Sequence, residues 1–218
     1  MRSPSAARSK DAAGSRPSTD GGTMTGEIDT DLQALAGATA AEAERFLETV
    51  TLVAAGTNPD AAISLLLLAV SDISAAGARL GAVVDVVPAQ RFEPDTGSEP
   101  DTDPLRLGLA NALEGVDEYR EVPDPLIDSV SVTATLSGDI ADIALALRRG
   151  LQHHRAGDLT EALWWWQFSY LSDWGERAAS ALRVLLSLLG HLRLDVAADV
   201  AADAEFDALH APEATQGG

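Results

Sequence analysis

Few side chains in this sequence could carry chemistry. Asp72, Asp142, Glu161, His153 and His154 are acid–base groups set within apolar, helix-forming stretches. Such groups serve general acid–base catalysis when they converge on one substrate. No known constellation is visible: there is no Ser–His–Asp order, no glycine-rich phosphate or dinucleotide loop and no HExxH helix. His153 and His154 are neighbours in sequence, and adjacent side chains on a helix diverge by about 100°, a poor geometry for a shared metal. The acidic stretch from Ala89 to Asp103 could offer oxygens to a hard cation, but it lacks the ligand order, central Gly and terminal Glu of an EF-hand loop. No catalytic, metal or cofactor site is assigned.

One cationic group stands out against an acidic background. Arg148, Arg149, His153, His154 and Arg155 lie close together, with Trp165 in the next predicted helix. Two readings are open. Cations at a helix C-terminus complement the helix dipole; alternatively, this set is a docking patch for an anion or an acidic partner.

The elements that must position these residues centre on the stretch Ile140–Leu194. All four tryptophans, Trp164, Trp165, Trp166 and Trp174, fall within it. Gly157 is a natural helix stop, and Asp158 with Glu161 has capping-box spacing. A helical hairpin follows, Ile140–Arg155 against Leu159–Tyr170, whose turn Ala-Gly-Asp-Leu-Thr-Glu-Ala-Leu resembles that of a tetratricopeptide hairpin. No second copy occurs at the repeat period, so an array is not expected. Leu163, Trp166, Tyr170 and Trp174 share one helical face, whereas Trp165 and Phe168 point elsewhere. A helix aromatic on several sides either lies between neighbours or offers a side to a partner. After Gly175, Ala178, Ala181, Leu182, Leu185, Leu188, Leu189 and Leu192 make a clean apolar stripe.

Upstream, the spacing predicts a helix from about Asp29 that breaks at Gly37 and a second one capped by Thr39 and Glu42. Asn58-Pro59 should open a long apolar helix reaching about Val86, expected at the centre of the bundle, with Gly77 and Gly81 allowing close approach. Asp72 and Arg79 are its polar exceptions, read as ion-pair or partly exposed residues. Asp103-Pro104 should start a short helix. Val130–Leu136 alternates like a strand, but with no partner in view it reads as an extended loop or an irregular helix start. Ser137 or Asp139 should cap the helix that opens the aromatic hairpin.

Composition narrows the classes further. The chain has 218 residues, no cysteine and a net charge of −19. Disulfides, thiolate catalysis and Cys-ligated metals are excluded. The charge argues against nucleic-acid and anionic-membrane partners. The longest uncharged apolar run, Ala61–Val70, is too short for a bilayer span, and the first residues lack the apolar core of a signal peptide. A cytoplasmic protein is expected. One lysine against fourteen arginines suggests a GC-rich genome.

Several segments carry a family resemblance: Gly138-Asp139-Ile140-Ala141-Asp142-Ile143, Arg148-Arg149-Gly150-Leu151, Ala162-Leu163-Trp164-Trp165-Trp166-Gln167-Phe168 and Asp173-Trp174-Gly175. Arg91-Phe92, Asp103-Pro104-Leu105-Arg106, Tyr119 and Asp124-Pro125 fit the same pattern. Together they resemble an uncharacterised actinobacterial family, domain of unknown function number 5063, over about Ala40–Leu194. The chain departs from the family where a His is expected before Trp174 and again a few residues later; here stand Asp173 and Ala179 or Ser180. The resemblance implies no activity, cofactor or catalytic residue.

The expectation is an all-α protein, a single bundle of about six or seven helices. Residues 1–26 should form a disordered arm, 27–194 the helical domain and 195–218 an acidic, Ala-rich tail. Its expected role is a non-catalytic protein–protein interaction or regulatory module with a protein partner. The alternative is a small-molecule-binding protein or enzyme with a Trp-lined pocket.

Overall fold

The computed structural model describes residues 21–83, 85–88, 98, 100–122, 126 and 130–195, with only the backbone described for 21–29 and 195. Of the arm expected over residues 1–26, residues 1–20 lie outside them, as do most of the acidic loop and the tail after residue 195; the backbone of 21–26 is helical. The described residues form an α-helical bundle with one small β-hairpin. In chain order these are α1 (Gly21–Ala54), α2 (Ala62–Ala82), α3 (Asp103–Ala112), β1 (Glu118–Glu121), β2 (Val132–Thr135), α4 (Leu136–Ala156), α5 (Leu159–Ser169) and α6 (Gly175–Gly190). A wide π turn, Tyr170–Trp174, carries α5 into α6 without a break, so the six segments make five continuous helices, slightly fewer than expected.

The core is built around α4, which packs against α1, α3, α5 and α6. Leu136, Ile140, Ile143, Leu147 and Leu151 are all buried along it. Their spacing of three and four residues is the stripe that a helix presents to its neighbours. α2 was the expected centre, but it is more peripheral. Leu66, Val70, Ile73 and Leu80 face α1 and α6, while Leu68, Asp72 and Arg79 are exposed. With its leading turn, α2 spans Pro59–Ala82 and holds an 18-residue window of mean hydropathy 1.8, long and apolar enough to cross a membrane by length and composition. The full element is therefore longer than the uncharged run that the sequence suggested. Here it lies against α1 and α6 along one face.

Helix boundaries follow local chemistry, with several departures. α1 runs straight through Gly37, because Ala36, Ala40, Ala43 and Phe46 form one buried stripe. Burial along that stripe outweighs a glycine cost of about 1 kcal/mol. Thr39 is consequently a buried residue inside the helix and caps nothing. α2 ends at Ala82, and Val83 turns extended. Gln167 holds the chain there: its amide nitrogen donates to the Leu80 carbonyl at 2.9 Å, and its oxygen accepts from the Val86 N–H at 2.8 Å. The strand-like stretch before α4 does find a partner, since β1 and β2 pair antiparallel with Tyr119 opposite Ala134. At the start of α4 the cap is Thr135, whose hydroxyl accepts from the Gly138 N–H.

The α4–α5 hairpin forms as read. Gly157 takes φ 87°, and its N–H bonds back to the last turn of α4. Asp158 makes no side-chain cap, but its carbonyl accepts from Ala162 N–H. Trp166 and Trp174 are fully buried. The Trp166 indole lies flat on Gly150 of α4, so close that any Cβ at that position would collide with the ring, and its N–H donates to the Leu147 carbonyl at 3.2 Å. Trp174 donates to Ser169 Oγ at 3.1 Å and meets Tyr170 edge-on. Gly77 of α2 leaves the space that Tyr170 and Trp174 fill.

Two substitutions test this centre. Trp166→Ala should cost about 3–5 kcal/mol, read as a large fall in thermal or denaturant midpoint. Gly150→Ala would raise stability by about 0.5–1 kcal/mol if helix propensity decided. The Trp166 contact reverses the sign, so this variant should melt lower than the parent; a higher midpoint would place the indole elsewhere.

Candidate functional site

The cationic group read from the sequence is dispersed by the fold. His153 is fully buried and cannot belong to a surface patch. His154 is partly buried, with its ring 6.1 Å from that of Trp166. Arg149 lies over the Trp165 ring at 4.3 Å, and the Trp165 N–H donates to the Ala146 carbonyl. Arg148 reaches the Asp101 carbonyl at 3.3 Å, and Arg155 pairs with Glu44 at 3.0 Å. Arg148, Arg149, Arg155 and Trp165 are thus each already engaged. The other acid–base groups do not converge. Asp72 is exposed on α2, beside Glu42 and Arg45 of α1, Glu161 is buried at the start of α5, and Asp142 lies among a different set of ionisable groups.

Asp142 belongs to a network that the sequence reading did not assemble. Asp139, 5% exposed, accepts from the Tyr119 hydroxyl at 2.5 Å and from Arg177 at 3.2 Å. Arg177 also reaches Asp142 at 3.2 Å and Asp173 at 2.8 Å. Arg106 of α3 closes on Asp142 at 2.9 Å, and Tyr119 lies 3.1 Å from Glu121. Beside it, Asp117 accepts from both the backbone and the hydroxyl of Ser137. Several of these residues come from the segments that carry the family resemblance: Arg106, Tyr119, Asp139 and Asp142. That shared membership was the available signal. Arg177 gave none, because arginine every few turns of an exposed helix is ordinary.

The network ties α3, β1, α4 and α6 together through charge-assisted bonds. Burial lowers the Arg177 pKa, but its bonds to Asp173, Asp142 and Asp139 outweigh that, and the guanidinium stays protonated. Tyr119 is held neutral by burial and by the neighbouring Asp139 and Glu121 carboxylates. Burial also raises the Asp139 carboxyl above the usual 3.8, with bonds from Tyr119 and Arg177 offsetting part of the effect. Among the described residues no three His, Asp or Glu side chains are grouped to hold a metal ion.

A third feature is apolar and open. Along the outward side of α5, Trp164 stacks on Phe168 at 5.5 Å and 12°, and Leu171 continues the strip. Phe168 is 52% exposed and Leu171 62%. The extended chain Val86-Val87-Pro88 forms the opposite wall of a groove of about 530 Å³. Ser172 lines this groove and also a smaller notch of about 150 Å³ formed with Glu121, Asp173, Glu176 and Arg177.

The raised Asp139 carboxyl has a definite sign. A group whose pKa rises on folding binds its proton more tightly in the folded state. It therefore favours folding below its usual pKa, and the contribution fades as pH climbs through the folded value. Asn does not titrate. Calorimetric melts should show the parent gaining on Asp139→Asn as pH falls from about 7 toward about 4. A constant gap, or one that closes, would mean that Arg177 keeps Asp139 ionised throughout.

Comparison with known proteins supports the architecture. Protein BF1032 from Bacteroides fragilis, known from a crystal structure, is similar at 17% identity, over 69% of this chain and 89% of that one, with a TM-score of 0.56. At that identity the likeness shows the fold alone. No curated protein matches. The model of the family described as Domain of unknown function (DUF5063) matches residues 30–191, most of the chain, and the protein belongs to that family.

Proposed function

We propose that this protein is a non-catalytic protein–protein interaction module, and that the Trp164–Phe168–Leu171 strip is its docking face. The observation that carries the reading is the exposure of this strip within an otherwise well-buried aromatic helix. Phe168 and Leu171 stay more than half exposed, while Trp166, two residues from Phe168, is fully buried. Contiguous exposed aromatic surface is costly to leave in water and marks binding surfaces. Aromatic side chains supply much of the energy at such interfaces.

The network around Asp139 supports the same reading from the other side. Its ionisable groups converge, but they bond to one another. A catalytic centre would direct such groups at a substrate position. A cytoplasmic setting goes with this reading, and the preference for arginine over lysine supports an actinobacterial source.

A second reading, a small-molecule-binding role, has its own support. The groove's volume of about 530 Å³ is in the range of ligand sites, and Trp164 and Phe168 line it. Such sites enclose most of their ligand, however, and this groove lies open along its length.

Affinity capture from the native host separates the possibilities. The parent should retain a stoichiometric protein that Phe168→Ser loses and that the double variant Arg148→Glu, Arg155→Glu keeps. Loss with the arginine variant instead would move the interface to Arg148 and Arg155. Capture of nothing by folded parent protein would favour the small-molecule reading.

A further inference from the structure

The charge around the groove narrows the kind of partner. Asp85 lines the groove and is exposed. Where the groove reaches Ser172, it meets the notch formed with Glu121, Asp173 and Glu176. Among the described residues the one cation lining that notch, Arg177, is bonded to Asp139, Asp142 and Asp173, and so adds little free positive charge. Glu176 is exposed and Asp173 half-exposed. An apolar channel thus has one carboxylate, Asp85, on its margin and a group of carboxylates at one end. The net charge of the chain, −19, has the same sign, although residues 143–194 by themselves carry six arginines against four carboxylates.

A field of this sign repels anionic ligands and steers cationic ones. The apolar strip has the length of two helical turns, from Trp164 to Leu171, which suits the stripe of an amphipathic helix laid in a groove. Resting on the proposed docking role of this face, we infer that the partner is a basic amphipathic segment of another protein. Its apolar side chains lie against Trp164, Phe168, Leu171 and Val87. An Arg or Lys at one end enters the notch beside Asp173 and Glu176. An arginine suits this position best, because its planar fork can bridge two carboxylates.

A phage-displayed library of random linear peptides, selected on the full chain, tests this inference. Enriched peptides should carry apolar residues three or four apart with an Arg or Lys at one end. Fluorescence anisotropy should show their affinity falling about tenfold or more for Phe168→Ser and for Glu176→Lys. The distant charge reversal Glu48→Lys should leave it unchanged, and added salt should weaken binding. Each variant is first shown to melt like the parent. Phe168-dependent peptides without a basic residue, or indifferent to Glu176→Lys, would overturn the basic partner and leave the docking face standing. Peptides equally weakened by Glu48→Lys would reduce the effect to net charge and overturn it as well. Enriched peptides that ignore Phe168→Ser, or no enrichment at all, would overturn both, as when a second copy or another segment of this chain covers the strip.

Discussion

The seating of Trp166 on Gly150 sets the rotation of α5, and most of the functional geometry follows from that rotation. Five consecutive large side chains, Trp164 to Phe168, cannot all face one way on a helix that turns about 100° per residue. The missing Cβ at Gly150 lets one indole approach the α4 backbone and bond to the Leu147 carbonyl. Once Trp166 is placed, Gln167 must face the end of α2 and hold Val86 there. Trp165 turns toward Arg149, and Trp164 and Phe168 are left on the outside. The π turn then redirects the helix so that Trp174 re-enters the core against Gly77. Wide turns of this kind are found often at functional sites.

The Asp139 network has a complementary task. α6 meets α4 near the N-terminal end of α4, where unpaired backbone N–H groups favour nearby carboxylates. Arg177 binds three of these carboxylates at once, and Tyr119 brings the β-hairpin to the same point. Breaking one member would leave buried charge uncompensated, which costs more than the pair contributes. The hairpin is therefore fixed to the helices beside the notch, and Glu121 is held at its edge.

Much of this was legible in the sequence where one residue type has one physical meaning. Gly157 ended α4, Pro104 opened α3, and the spacing of Leu163, Trp166 and Trp174 marked the inner face. What depends on tertiary partners was not. Gly37 looked like a break because the buried stripe on either side of it is made of alanines, which carry a weak signal. The β-hairpin was missed because Glu118–Glu121, the partner strand, reads as a charged turn. The cationic cluster looked like a patch because its members are close in sequence. Their directions around α4 differ, and His153 points into the core. Tyr119, Asp139 and Arg177 are far apart in sequence and meet only in space.

The account turns on the outward side of α5 being a protein contact. Site-specific photo-crosslinking tests this most directly: a benzophenone amino acid replaces Phe168 in the native host, with the same probe at Glu48 as control. The account predicts one discrete protein adduct from position 168 and none from position 48. Equal labelling from the two positions, or no adduct from a folded protein probed at 168, would contradict it.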